Sequence, residues 1–186
     1  MRTPFRRTYL ELTDPTALRP PARTPTDTVM IRAEVPAPEL GRFFYTAVGC
    51  DWFWLDRLEW TWAQWRALFD RPGYELHYAL QRGVPAGYFE LDATKPPEAE
   101  ILYFGLLPRF VGEGIGGWLL AAAVRRACEL GAGRIWLHTC TLDGPMAVKN
   151  YLARGFRVFK EETLEAELPI TSPGPWPGAQ RPRPFP

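Results

Sequence analysis

Leu119, Leu120, Ala123, Val124, Ala127 and Leu130 fall on one stripe of a helical wheel, and Arg125, Arg126 and Glu129 fall on the other. This spacing predicts a helix that lays one face on a core and stops at Gly131 and Gly133. An earlier helix follows from Leu40, Phe43, Phe44 and Ala47, with Pro38 near its start and Gly49 just past its end. Another begins at Thr61. There Thr61 and Gln64 have capping-box spacing, Trp60 and Trp65 are placed as a hydrophobic staple, and Leu68 and Phe69 continue the apolar face up to Pro72 and Gly73. Aromatic and branched runs at residues 74–80 and 87–91, joined across Gly83 and Pro85, read as an antiparallel hairpin, and residues 98–107 add a third strand. Residues 8–12, 29–35, 134–140 and 156–168 are the remaining strands. A last helix has Gly144 as its cap, Pro145 in its first turn and Gly155 at its end. The expected fold is α/β, of the α+β kind: one domain with a mixed, mostly antiparallel central sheet flanked by helices.

A length of 186 residues with 46% hydrophobic content suits one packed domain. The formal charge of +1, with no long basic run, gives no field that gathers polyanions, so no nucleic-acid partner is expected. The longest apolar stretch, residues 115–124, is too short to span a bilayer, and no basic segment leads into an apolar one at the start. A cytoplasmic protein without a membrane partner is the expectation. Cys50, Cys128 and Cys140 are odd in number and lack ligand spacing, which predicts free thiols and no metal site. Of the 20 prolines, 12 lie in the first 25 residues or from Pro169 onward. The organisation expected is therefore a proline-rich arm with one strand at 1–27, a domain at 28–168 and a proline-rich tail at 169–186. The arms are candidates for wrapping a neighbouring subunit in a homodimer.

Candidate chemistry begins at Gly112, Gly114 and Gly117, which satisfy G-x-G-x-x-G and run straight into a helix. Such a loop leaves main-chain N–H groups unpaired at the positive end of the helix dipole, where a pyrophosphate binds. A dinucleotide fold fits poorly: an antiparallel hairpin precedes the loop, residues 108–111 intervene, and Asp143 lies too far on. No Gly-Lys-Ser/Thr follows, so a P-loop is excluded. A plain glycine turn that packs strand on helix is the structural alternative.

Val111-Gly112-Glu113-Gly114-Ile115-Gly116 resembles the acyl-CoA pyrophosphate loop of the GCN5-related N-acetyltransferase superfamily, Gln/Arg-x-x-Gly-x-Gly/Ala. The run Ala147-Val148-Lys149-Asn150-Tyr151-Leu152-Ala153-Arg154-Gly155-Phe156 is similar to its second signature, A-x-x-x-Y-x-x-x-G-F. The sequence departs at Val111, where the family has Gln or Arg, and at Gly144, where it has Asn. Glu113 also brings a carboxylate to a phosphate loop and is expected to point to solvent.

What the resemblance implies is acetyl transfer from acetyl-CoA to a primary amine by direct attack in a ternary complex, without a metal. The alternative is a non-catalytic acyl-CoA-binding sensor. In either case residues 111–117, including Ile115, Gly116 and Gly117, would hold the diphosphate with Asn150 beside it. The strand before the loop would bulge and splay, with Leu106 and Leu107 offering backbone groups to the pantetheine arm and to the oxyanion. Tyr151 is the implied acid for the leaving thiolate, its other reading being a packing residue. Glu100, eleven residues before Val111, is the implied base, or else a strand carboxylate facing water. His138 reads as structural. Trp52, Trp54 and Asp51 lie between the first two helices, where aromatic rings with carboxylates suit a cationic amine; the rings could equally seal that connection. A small-molecule amine is favoured over a protein acceptor.

Overall fold

Residues 86–91 of strand β4 (Val84–Lys95) are buried without a break, so both faces of that strand must be covered. The computed structural model, which describes residues 2–179, shows how. β4 lies inside a seven-stranded sheet of order β2-β3-β4-β5-β6-β1-β7, with β1 Arg2–Leu12, β2 Thr28–Arg32, β3 Tyr74–Gln81, β5 Glu98–Leu106, β6 Arg134–Cys140 and β7 Arg157–Glu167. Helix α3 (Ile115–Glu129) buries Leu119, Leu120, Ala123, Val124 and Ala127 against one face. On the other, α1 (Pro38–Gly49) and α2 (Trp62–Phe69) pack Phe44, Tyr45, Val48, Trp65 and Leu68 onto Tyr74, Leu76 and Tyr88. Fully burying each large apolar side chain stabilises the fold by roughly 1.5–3 kcal/mol. Helix α4 (Ala147–Ala153) adds Tyr151 to the α3 side.

Local chemistry sets the boundaries. The capping box at Thr61 forms in full, and the Trp60 and Trp65 rings meet edge to face at 5.2 Å. Arg82 and Gly83 take φ of 50° and 81°, the pair a tight hairpin turn demands, so β4 starts at Val84 and carries Pro85 at an irregularity in the ladder.

Several expectations need correction. The N-terminal segment is no arm: β1 runs antiparallel to both β6 and β7 and puts Leu10 and Leu12 in the core, so the domain begins with it. Pro4 is tolerated because it lies beyond the β6 pairing, where β1 has β7 alone as neighbour. Of the tail, residues 180–186 lie outside the described residues. The buried face of α1 is Gly41, Phe44, Tyr45 and Val48, one step round from the predicted stripe, and Phe43 is exposed. Trp62 is exposed too, its indole donating to Glu39. Met146, not Gly144, caps α4. Among the described residues no helix is long and apolar enough to cross a membrane.

Among the described residues one neighbouring pair of strands is parallel, and its pairing is short. β5 and β6 match at Glu98–Arg134, Ala99–Ile135 and Glu100–Trp136, and beyond these they part. β5 also carries an extra residue, Leu102, between its Tyr103–Glu90 and Ile101–Leu91 pairs with β4, a bulge that bends it away from β6. The sheet therefore opens into a V at its middle.

Candidate active site

The V is the floor of a cavity of about 1200 Å³. Its walls come from β5 on one side, β6 and α4 on the other, and the connection between α1 and α2 above. That connection is tied across the gap. Trp54 Nε1 donates to Asp143 Oδ1 at 3.2 Å, and Asp143 Oδ2 accepts from Thr139 Oγ1 at 2.5 Å and from Cys140 N at 3.0 Å. The indole of Trp54 lies so close to Gly49 that a Cβ there would stand 2.1 Å from its ring. A Cβ on Gly144, the departure from the family pattern, would sit 3.4 Å from the ring of Trp52, an ordinary contact, so Trp52 packs beside the loop before α4.

At one end of the cavity the loop 111–114 enters α3. Gly112 and Gly114 have φ of 89° and 80°, and nothing lies within 4 Å of where their Cβ atoms would be. The N-cap is Gly114, which has no side chain to bond the first-turn N–H groups, so these remain directed at the cavity end. Arg154 lies against the same turn, with Nη1 2.5 Å from a Cβ built on Gly117, and its Nε is buried without a partner. Open space over positive-φ glycines, an uncapped helix end and an orphaned guanidinium donor fit a diphosphate. Val111, Gly112, Gly114, Gly116, Lys149 and Asn150 line this end. Gly117 is covered by Arg154 and Asn150, and Ile115 is a core residue with no exposure, so neither side lines the cavity. Glu113 turns outward and pairs with Arg109 at 3.0 Å, which removes the expected repulsion.

The two leucines divide. Leu107 N donates to the Ala86 carbonyl at 2.9 Å and its own carbonyl accepts from Phe110, so its N–H is already committed within the fold. Leu106, one residue earlier, lines the cavity, and strand alternation turns its N–H toward the gap.

Tyr151 lines the cavity from α4, its ring edge-on to Phe104 at 6.0 Å. Burial, reinforced by the Asp143 charge, pushes its phenol up, so the proton stays on through neutral pH. Glu100 stands apart from these residues. It sits at the closed end of the V, paired with Trp136 and opposite Asp92, and does not line the cavity. Burial and then the charge of Asp92 push its carboxyl up to about 7. Asp51 does not line the cavity either, whereas Trp52 and Trp54 do.

His138, read from sequence as structural, stands two residues past the last parallel pair and lines the opening V. Burial and then Arg7 push its imidazole below the ordinary value, so the ring is neutral at pH 7 and can accept a proton.

A polar group at the aromatic end centres on Asp56, one of the carboxylates near the tryptophans, and its partners had no local sequence signal. Tyr45 and Tyr103 hydroxyls donate to Asp56 Oδ1 at 2.7 Å and Oδ2 at 2.6 Å. Beside it Arg57 is buried under Trp60 and Tyr103, 4.7 and 4.3 Å from their ring centres, and pairs with the fully buried Glu90 at 2.7 Å. Asp56 and Arg57 are adjacent to the tryptophan cluster, but Glu90 lies 33 positions away, and only the β4–β5 pairing brings it near. Among the described residues no group of three His, Cys, Asp or Glu could hold a metal ion.

A mixed sheet opened between two parallel strands, with a glycine-capped helix at one end of the gap and a tyrosine beside it, defines the N-acetyltransferase fold. The Acetyltransferase (GNAT) family matches over residues 39–156, and the chain belongs to this family, which generally uses acetyl-CoA. Among its relatives is a mycothiol acetyltransferase of Corynebacterium aurimucosum, 35% identical over 72 residues, which are 39% of this chain and 23% of that protein. A GCN5-related N-acetyltransferase from Kribbella flavida superposes with a TM-score of 0.62 at 20% identity, covering 88% of this chain and 58% of its own. One from Sphaerobacter thermophilus gives 0.66 at 16% identity, covering 88% and 52%. The chain thus spans a quarter to three fifths of the length of these relatives.

Proposed function

We propose that this domain transfers an acetyl group from acetyl-CoA to a primary amine by direct attack in a ternary complex. The observation that carries the reading is the continuity of one cavity from the glycine loop to Tyr151 and His138. Acetyl-CoA supplies the activated acyl group as a thioester. The main-chain N–H groups at the start of α3, which Gly114 leaves without a side-chain cap, would hold its diphosphate, with Lys149 and Asn150 on the same lining. Leu106 N–H faces the gap where an oxyanion develops. An alkylammonium has a pKa near ~10.4 and must lose a proton before attack, and neutral His138 is the lining group suited to take it, in place of Glu100. Tyr151 keeps its proton until the intermediate collapses and gives it to the departing thiolate, and the second proton lost by the attacking nitrogen restores the phenol through solvent.

The test is thiol release from acetyl-CoA measured with and without primary amines. Acceptor-dependent release is expected, together with acetylated amine in the product. Calorimetric binding of acetyl-CoA with no release across a broad amine panel would reject catalysis.

A further inference from the structure

We infer that Asp56 is the ammonium anchor of the acceptor site, and that the site takes a monocationic primary amine carrying an aromatic or branched apolar body. This rests on the amine-acetylation reading above.

Asp56 lines the cavity and is exposed into it. Each of its oxygens receives one phenol hydroxyl, and each carboxylate oxygen has two acceptor positions, so one on each side stays open. Tyr45 and Tyr103 are themselves fixed by edge-to-face contact at 5.2 Å, which sets the carboxylate in one orientation. Its negative charge is not cancelled locally, because the neighbouring Arg57 is taken by Glu90. Asp56 and His138 line the same cavity, so anchor and proton acceptor share one space.

The other acids on the lining differ. Asp143 already receives three donors that hold the roof, and Glu167 stands at the end of β7. Cations on the lining are Arg7 from β1 and Lys149 from α4. Asp56 is the lining carboxylate that stands among the aromatic rings, and Arg7 and Lys149 elsewhere on the lining disfavour the further positive charges of a polyamine. Around Asp56 stand Trp52, Phe53, Trp54, Leu55 and Leu102, which offer ring faces and apolar surface but few hydrogen bonds for a sugar.

The experiment uses the full chain with saturating acetyl-CoA and compares phenethylamine, spermidine and glucosamine in wild type and Asp56→Asn. We expect kcat/KM for phenethylamine to exceed that of the other two at least tenfold. In Asp56→Asn the KM for phenethylamine should rise tenfold or more, with acetyl-CoA affinity within about twofold. Tyr103→Phe, which removes one of the two phenol bonds, should raise the same KM by a smaller factor. Calorimetry with N,N-dimethylphenethylamine, a cation of the same shape that cannot form an amide, reads the anchor without turnover: binding in wild type and its loss in Asp56→Asn support the assignment even if no amine is acetylated. Preference for spermidine or glucosamine, unchanged tertiary-amine binding in Asp56→Asn, or an equal fall in kcat for every amine would overturn it.

Discussion

The two ends of the cavity are built from different materials. The proposed diphosphate end is main chain: positive-φ glycines, an uncapped helix start and a strand N–H, with Glu113 turned away and Val111 offering no polar side chain. The proposed acceptor end is side chain: Asp56 between two tyrosines, a roof of tryptophans and an ion pair of Arg57 with Glu90 behind them. A backbone site tolerates exchange of its neighbours provided the glycines stay, whereas a side-chain site is only as good as its buried supports. That difference can be broken from either end.

The largest effect is expected behind the acceptor end. Glu90→Gln leaves Arg57 buried without a counter-charge, and urea unfolding should show a loss of about 3–5 kcal/mol. The matching change at the other end, Arg109→Ala, breaks only the exposed pair with Glu113 and should cost under about 1 kcal/mol. Equal losses would mean that the buried pair does not support the fold in the way its burial implies.

Next in size is Tyr151→Phe, where the two ends meet. Losing the acid should lower kcat about 100-fold or more while the acetyl-CoA Kd measured by calorimetry stays nearly constant. Smaller again is Gly114→Val. A branched side chain at φ 80° is strained and covers the helix start, so acetyl-CoA affinity should weaken about tenfold. Val111→Ala keeps the main chain and should change that affinity by less than about twofold. If Val111→Ala weakened binding as much as Gly114→Val, the main-chain account of this end would fail.

The same contrast explains what could be read before the fold was known. Gly112, Gly114 and Tyr151 sit in short, ordered motifs whose spacing carries their geometry, and the elements around them have the caps and turns that mark their limits. Asp56, Tyr45, Tyr103 and Glu90 come from a helix, a connection and two strands, and no local pattern relates them. Asp51 looked as suitable as Asp56 because sequence does not say which carboxylate meets the phenols. The place of β1 was hidden by its one proline and by those that follow it in the first 25 residues. Pro4 reads as a strand breaker until the register shows its missing N–H lying beyond β6. The face of α1 was missed by one position because Tyr45 carries a hydroxyl yet is fully buried, its oxygen satisfied by Asp56.

Glu100 gives the smallest effect and the clearest separation between a strand carboxylate and a catalytic base. Its pKa in the folded protein is about 7, against 4.5 ordinarily, first because it is buried and then because Asp92 lies opposite. The folded state therefore holds this proton at pH values where the unfolded chain has released it. Stability is greatest below about pH 4.5, falls as the pH rises toward 7, and levels off above that. Glu100→Gln cannot ionise, so the variant should gain on the wild type across that window and exceed it above pH 7 by about 1 kcal/mol, a modest figure because the carboxyl is only partly shielded from water. Urea unfolding at pH 5 and pH 8 reads the difference. Turnover of the variant should stay within about threefold of wild type. A much larger fall in kcat, restored at high pH where the amine deprotonates unaided, would return the role of base to Glu100 and take it from His138.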